Sequence, residues 1–463
     1  MHFAYGRLSS WVQTEPSLIL KWSDTTLTMP DILQAKIRSK YSVFRSRLLP
    51  ADKTVRVLAI AQTMGAVAAG LYFSSSALFF SRASGLAPLE IGLGLTISGV
   101  VGLLVPLPFG ILADRWSARN IAAWLTVGVG LSYWLFLLVN GLTAFIIATC
   151  CFAACLRGAM TARMAMIGSL IDASHRTQTS AYLHALGNGG LSVGALIGSL
   201  ALYFDSLLAY QLAFAIGGAI FLVAALVYRS LPAKAPGLAP IRQGATLAVL
   251  RDRPYVVLAL LNTIILLYIP LLNMTLPLWI ALHTKAPLWI APVLYGVNTI
   301  GVMLLQVRLA RGVATAKDAR RSIFSATLLL SAACLAFAAM AMSSTVWLAV
   351  LLAVFGALLH VFGEMMHMAG AWDLSFRLAP PGRQGEYQGF FNTSSATAEM
   401  LGPFLLTALL VSWGAPGWLV LALVFPAAGF AIIALFGRQA YLERDCQIPD
   451  EGKSGKASGQ VEG

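Results

Sequence analysis

Arg157, Glu364 and Glu399 stand out because each lies inside a long apolar stretch of the sequence. A charge placed in hydrocarbon costs roughly 2.5 to 3.5 kcal/mol on insertion scales, so intramembrane charges mark candidate sites for binding a solute, an ion or a proton. His360, Glu364 and His367 recur at i, i+4 and i+7, which at ~100° per residue puts them within about 60° on one helix face. A carboxylate beside imidazoles changes charge near neutral pH, as proton transfer requires. Two other readings stay open for this face. Polar residues satisfied within a helix interface give the same pattern, and Glu364-Met-Met-His367 has the E-x-x-H spacing of carboxylate-bridged metal bundles. Such bundles need a second E-x-x-H and two more carboxylates; the sequence offers neither, so no metal and no cofactor are expected. Glu399 sits amid Asn392, Thr393, Ser394, Ser395 and Thr397, a stretch unsuited to face lipid, and is a second proton-binding candidate. Gln62, Tyr72, Asn262 and Asn273, with Asn392, would supply neutral hydrogen-bonding contacts in an otherwise apolar cavity.

The elements that must position these residues follow from composition. The 463 residues are 58% hydrophobic and 11% charged, with a mean hydropathy of +0.77, too apolar to cover a water-soluble surface. Apolar runs at about 55–80, 91–112, 120–139, 143–168, 181–203 and 207–228, then 255–281, 289–309, 322–342, 346–371, 385–411 and 416–437, predict an all-α membrane protein of about twelve transmembrane helices. Two six-helix halves result, 55–228 and 255–437, joined by a linker over 229–254, in which the stretch from Arg229 to Arg253 has three prolines and five basic residues and is expected to be extended. The N-terminal tail, 1–54, places Leu33, Ile37, Tyr41, Phe44 and Leu48 at helical spacing among basic residues, as an interfacial helix would. Met29 is an alternative start, in which case residues 1–28 carry no meaning. The polar tail after Arg438, 438–463, is expected to be disordered. No signal peptide is expected at the N-terminus.

The net charge of +13 is distributed by topology. Of 32 Lys and Arg, Arg82 and Lys285 fall in loops on one side, Arg157 and Arg163 within spans, and the remaining 28 in the tails and the opposite loops. By the positive-inside rule both termini lie in the cytoplasm, in a plasma or inner membrane. With its basic residues interrupted by spans, the chain has no single basic face for nucleic acid. Cys150, Cys151, Cys155 and Cys334 fall in spans and Cys446 in a tail, where disulfides are not expected.

The halves repeat. Asp172-Ala-Ser-His-Arg176 precedes one span and Ala379-Pro-Pro-Gly-Arg383 precedes its counterpart, an offset of 207. At that offset Arg157 corresponds to Glu364, a cation against an acid. After the second span, Gly110-Ile-Leu-Ala-Asp114-Arg115-Trp-Ser-Ala-Arg119 has a counterpart in Gly312-Val-Ala-Thr-Ala316-Lys317-Asp-Ala-Arg-Arg321. Duplication of this kind implies a pseudo-symmetric transporter with its site between halves near the midplane. Asp114, Arg115 and Arg119 at helix ends can form interhelical ion pairs and dipole contacts that hold one gate state; with Ala316 in place of the acid, the latch of Lys317 and Arg321 should be weaker.

The GILADRWSAR segment, in its place after the second of twelve spans, resembles the signature loop of the major facilitator superfamily. Gly189-Gly-Leu-Ser-Val-Gly194-Ala195-Leu-Ile-Gly198-Ser199 is similar to the glycine-rich helix motif of its drug:proton antiporter branch, departing from it at Ala195 and Ser199. Small residues at that spacing are equally an ordinary packing surface. The resemblance implies that spans one, four, seven and ten line a central cavity, with Arg157 and Glu364 facing each other across it as a structural ion pair or as a proton site. It implies a monomer moving a small-molecule substrate, with protons as the coupling ion, by alternating access. The apolar, aromatic inventory suits export of a lipophilic or amphipathic compound. Import of a small organic solute is the alternative, and a non-transporting scaffold or sensor a more distant one. No catalytic set converges, so no enzyme is expected.

Overall fold

The computed structural model describes residues 52–83, 86–204, 206–232 and 247–437. The predicted interfacial helix in the N-terminal tail, the C-terminal tail with Cys446, and linker residues 233–246 lie outside them.

The described residues form twelve helical spans. In the first half these are α1 (Lys53–Ala83), α2 (Pro88–Leu104 continued by Pro106–Leu112), α3 (Ala118–Phe136), α4 (Leu142–Leu170), α5 (Arg176–Phe204) and α6 (Leu207–Arg229). In the second they are α7 (Arg253–His283), α8 (Ile290–Ala310), α9 (Ala316–Ala341), α10 (Val346–Leu378), α11 (Gln384–Ser412) and α12 (Ala415–Gly437). A π-turn, Ala113–Ser117, keeps α2 and α3 in one helical run of 47 residues, Glu90–Phe136. At 1.5 Å per residue that run would measure ~70 Å, over twice the hydrocarbon thickness, so it crosses twice. Spans four to six repeat in the second half at the offset of 207, as Leu207–Arg229 and Ala415–Gly437 show to within a residue. The first spans repeat at 200, Lys53–Ala83 against Arg253–His283.

Boundaries follow from local chemistry. The α9 helix starts six residues before the apolar run because Thr315 and Asp318 form a capping box at its N-terminus. The α10 helix continues past residue 371 because Asp373 is paired with Arg377 one turn on, at 2.6 Å, so charge does not end the helix. Gly382 (φ 82°) makes the turn between α10 and α11, a left-handed conformation costly to residues with a Cβ. Within α7, Pro270 precedes a π-turn, Leu271–Thr275, the distortion its missing N–H predicts. The linker's described part is not wholly extended: Ala248–Arg251 forms one 3-10 turn, with Val249 buried and its N–H donating to Glu386 Oε1 at 3.1 Å.

Each half folds around its own aromatic core. Phe79, Phe80, Tyr133, Phe136, Phe145 and Phe214 pack in the first, Tyr255, Trp279, Phe337 and Trp418 in the second. Tyr72 belongs to the first core, 7% exposed and ringed by Phe80, Tyr133, Phe136, Phe152 and Phe214. It was expected in the cavity, and the structure corrects that: an aromatic ring is better accommodated among these five others than at a wetted surface. The glycines of α5 are also spent inside this half. A Cβ at Gly190, Gly194 or Gly198 would strike Thr63, Val67 or Ser74 of α1, so one glycine per helical turn brings the two backbones together.

Candidate functional site

The halves meet along α2 with α11 and along α5 with α8, and α4 and α10 close against the other half at the end bearing the basic loops. Asp114, at the π-turn ending α2, accepts two backbone N–H bonds at 2.7 Å each, from Gly385 and Glu386. These are orphan donors of the first turn of α11, so a carboxylate of one half caps a helix of the other at its positive pole. Gly110 permits the approach. A Cβ there would overlap the Gly385 carbonyl, and one at Gly389 would strike Pro106.

The interhelical ion pairs expected from Arg115 and Arg119 are replaced by this cap. Arg115 is exposed, and Arg119 donates to the Leu231 carbonyl at 2.8 Å and to Asn120 Oδ1. The second half supplies a cation beside the cap: Arg383 pairs with Glu386 at 3.7 Å. In the second copy, Lys317 and Arg321 are exposed and form no cross-half ion pair among the described residues, while Asp318 caps its own helix. That half instead contributes Asp373, near the end of α10, which accepts from Thr177 Oγ1 at the start of α5 at 3.3 Å and is held by Arg377.

Deeper in, Asn392 donates to Thr161 Oγ1 at 3.2 Å, joining α11 to α4. One turn up α4 and two up α11, Arg157 Nη2 meets Glu399 Oε2 at 2.5 Å. By helix rise, this pair lies ~20 Å from the closed ends of both helices, near mid-membrane. The side chains are 23% and 42% exposed, and a half-exposed charge at that depth faces a space between helices in preference to lipid. The ion pair expected as one reading of Arg157 and Glu364 is thereby corrected. Glu364 accepts from Asn298 Nδ2 of α8 at 2.6 Å and lies 4.0 Å from His184 Nε2 of α5. Pseudo-symmetry puts Arg157 and Glu364 at equivalent places in their own halves, but Glu399, one helix along, reaches Arg157 first.

His360 and His367 both stand against Tyr268 of α7. His360 Nε2 lies 3.0 Å from the Tyr268 carbonyl, and both imidazoles stand edge-on to its ring at 5.6 Å. Both are buried, and neither nitrogen of His367 has a hydrogen-bond partner among the described residues. Among the other cavity candidates, Gln62 is wedged against Gly187 between α1 and α5, Asn262 is buried within α7, and Asn273 is exposed on the π-turn. No group of three His, Cys, Asp or Glu among the described residues is arranged to hold a metal.

Three glycines on one face of α2 record how the halves diverge. Gly110, Gly99 and Gly92 are spaced 11 and 7 apart, near whole numbers of turns. A Cβ overlaps the other half at Gly110, touches Met400 at 3.9 Å at Gly99, and meets nothing within 4 Å at Gly92. On the other seam, Gly189 of α5 would meet Met303 of α8 at 3.2 Å, and Gly296, two turns further along α8, nothing. Sequence reasoning had passed over His184, Asn298, Thr161, Thr177, Asp373 and Glu386; the one usable signal was Asp373 with Arg377 at i, i+4.

The profile of the Major Facilitator Superfamily matches residues 58–403. The fold is similar to that of the human organic anion transporter MFSD10 (TETRAN), with TM-score 0.64, 17% identity, and coverage of 82% of this chain and 98% of that one. It is similar to FucP in the outward conformation (0.67, 17%, 84% and 99%). A bacterial homologue of the iron transporter ferroportin in an outward-facing state gives 0.66 at 14% identity, covering 86% and 100%. No curated protein sequence matches the chain. At these identities the likeness is one of fold.

Proposed function

Since the chain belongs to the major facilitator superfamily, we propose that it is a proton-coupled secondary transporter exporting a lipophilic or amphipathic small molecule by alternating access, with Glu399 carrying the proton. The Arg157–Glu399 pair carries this reading: it ties one half to the other near mid-membrane and is open to the space between them. A proton on Glu399 turns the ion pair into a neutral contact and leaves Arg157 with an uncompensated charge, so protonation loosens α4 from α11. The widening gap from Gly110 to Gly92 supports an outward-open state, given the cytoplasmic placement of the basic loops. Reaching the opposite state requires release of Asp114 from α11 and of Asp373 from α5.

A second reading has its own observation. Arg157 freed by protonation is a cation at the floor of the cavity, which suits an organic acid entering together with a proton. Proteoliposomes under an imposed pH gradient decide among these. Glu399→Gln should lose gradient-driven flux and keep counterflow exchange, and full gradient-driven flux in that variant would exclude Glu399 as the carrier. Glu364→Gln tests the neighbouring carboxylate in the same way. Loss of the gene should raise cellular accumulation of lipophilic dyes if the protein exports; unchanged dyes with reduced, uncoupler-sensitive uptake of an organic acid would favour import.

A further inference from the structure

A cavity of about 170 Å³ opens between α3 and α6 at the end bearing the basic loops, outside the seams between the halves. Arg119, Asn120 and Arg229 line it together with Trp124, and Val127, Ala225 and Leu226 supply apolar lining. No acid lines it. The Arg229 guanidinium lies 6.0 Å over the Trp124 ring, and that indole is 66% exposed in the company of the exposed Leu226, as a membrane-facing side chain at an interface is. Arg119 spends three N–H donors on Leu231 and Asn120, which fixes its fork in place, and those partners are neutral, so among the described residues no acid pairs with its charge.

From this geometry we infer that the cavity binds the phosphate of an anionic phospholipid, with the guanidinium groups of Arg119 and Arg229 on the headgroup and an acyl chain along Val127, Ala225 and Leu226. A planar guanidinium matches phosphate oxygens two at a time, and paired cations beside an apolar wall at headgroup depth satisfy both parts of a lipid. A free phosphate would use the arginines and leave the wall unused. Arg119 and Leu231 flank the last turn of α6, where the first half ends and the linker begins, so an occupied site ties α3 to that exit.

The test uses the full-length protein, delipidated and titrated with phosphatidylglycerol, phosphatidylcholine or inorganic phosphate, with bound lipid read by native mass spectrometry. Phosphatidylglycerol should bind in preference to phosphatidylcholine, and Arg229→Gln and Arg119→Gln should each weaken it about fivefold, near the effect of one basic residue at a membrane surface. Equal retention in the variants, or no preference between the two lipids, would overturn the site. Displacement of the lipid by millimolar inorganic phosphate would reassign it to a soluble anion and overturn the lipid. If Arg119→Gln fails to fold, the exposed Arg229, whose side chain makes no hydrogen bond among the described residues, carries the test alone, with Arg229→Lys expected to bind between the native protein and Arg229→Gln, because an ammonium keeps the charge and loses the fork.

Discussion

Replacing Asp114 by Asn is expected to open the basic end of the protein. The carboxylate accepts from Gly385 and Glu386 at 2.7 Å each. Asparagine keeps one acceptor oxygen, loses the charge, and turns an amide N–H toward a backbone N–H. A hydrogen bond to a charged group is worth about 1.5 to 3 kcal/mol, and a charge at a helix N-terminus about 0.3 to 1 kcal/mol more. Losing one bond and the charge assistance of the other therefore removes about 2 to 4 kcal/mol from the closed end. That shifts the equilibrium between closed and open roughly 30- to 1,000-fold. Spin labels at the exposed positions 116 and 381, on either side of the cap, read the change by pulsed electron resonance. The native protein should give one short distance, and Asp114→Asn a second, longer population, together with impaired transport at normal expression. An unchanged distance distribution with full transport would show that the cap does not hold the state.

Gly110→Ala should shift the same distance distribution with no change of charge, because the methyl overlaps the Gly385 carbonyl; overpacking of about 1 to 3 kcal/mol corresponds to a roughly 5- to 150-fold shift, and native distances in this variant would refute close backbone contact there. Tyr72→Ala should lower unfolding stability by about 3 to 5 kcal/mol, measured by thermal denaturation in detergent, while the folded fraction transports normally. Lost transport at unchanged stability would return Tyr72 to the cavity.

Twelve spans, their division into halves and the loop carrying Asp114 were legible in the sequence, because hydrocarbon thickness fixes span length and every backbone N–H in lipid must be satisfied within a helix. So was the need of Arg157, Glu364 and Glu399 for polar partners, since a charge within a span is costly whatever its partner. Partner choice was not legible. Arg157 and Glu364 are equivalent by repeat, yet equivalence within halves says nothing of which side chain reaches furthest across the seam, and Glu399 does. Tyr72 and Asn392 are both polar residues of apolar spans; one faces its own half and the other crosses to Thr161, a difference set by helix rotation that hydropathy does not encode. Asp114 shows both limits at once. Its type and place announced a latch, but its partner is a pair of backbone N–H groups, identical in every residue but proline, and only the packing of α2 against α11 decided which two they are.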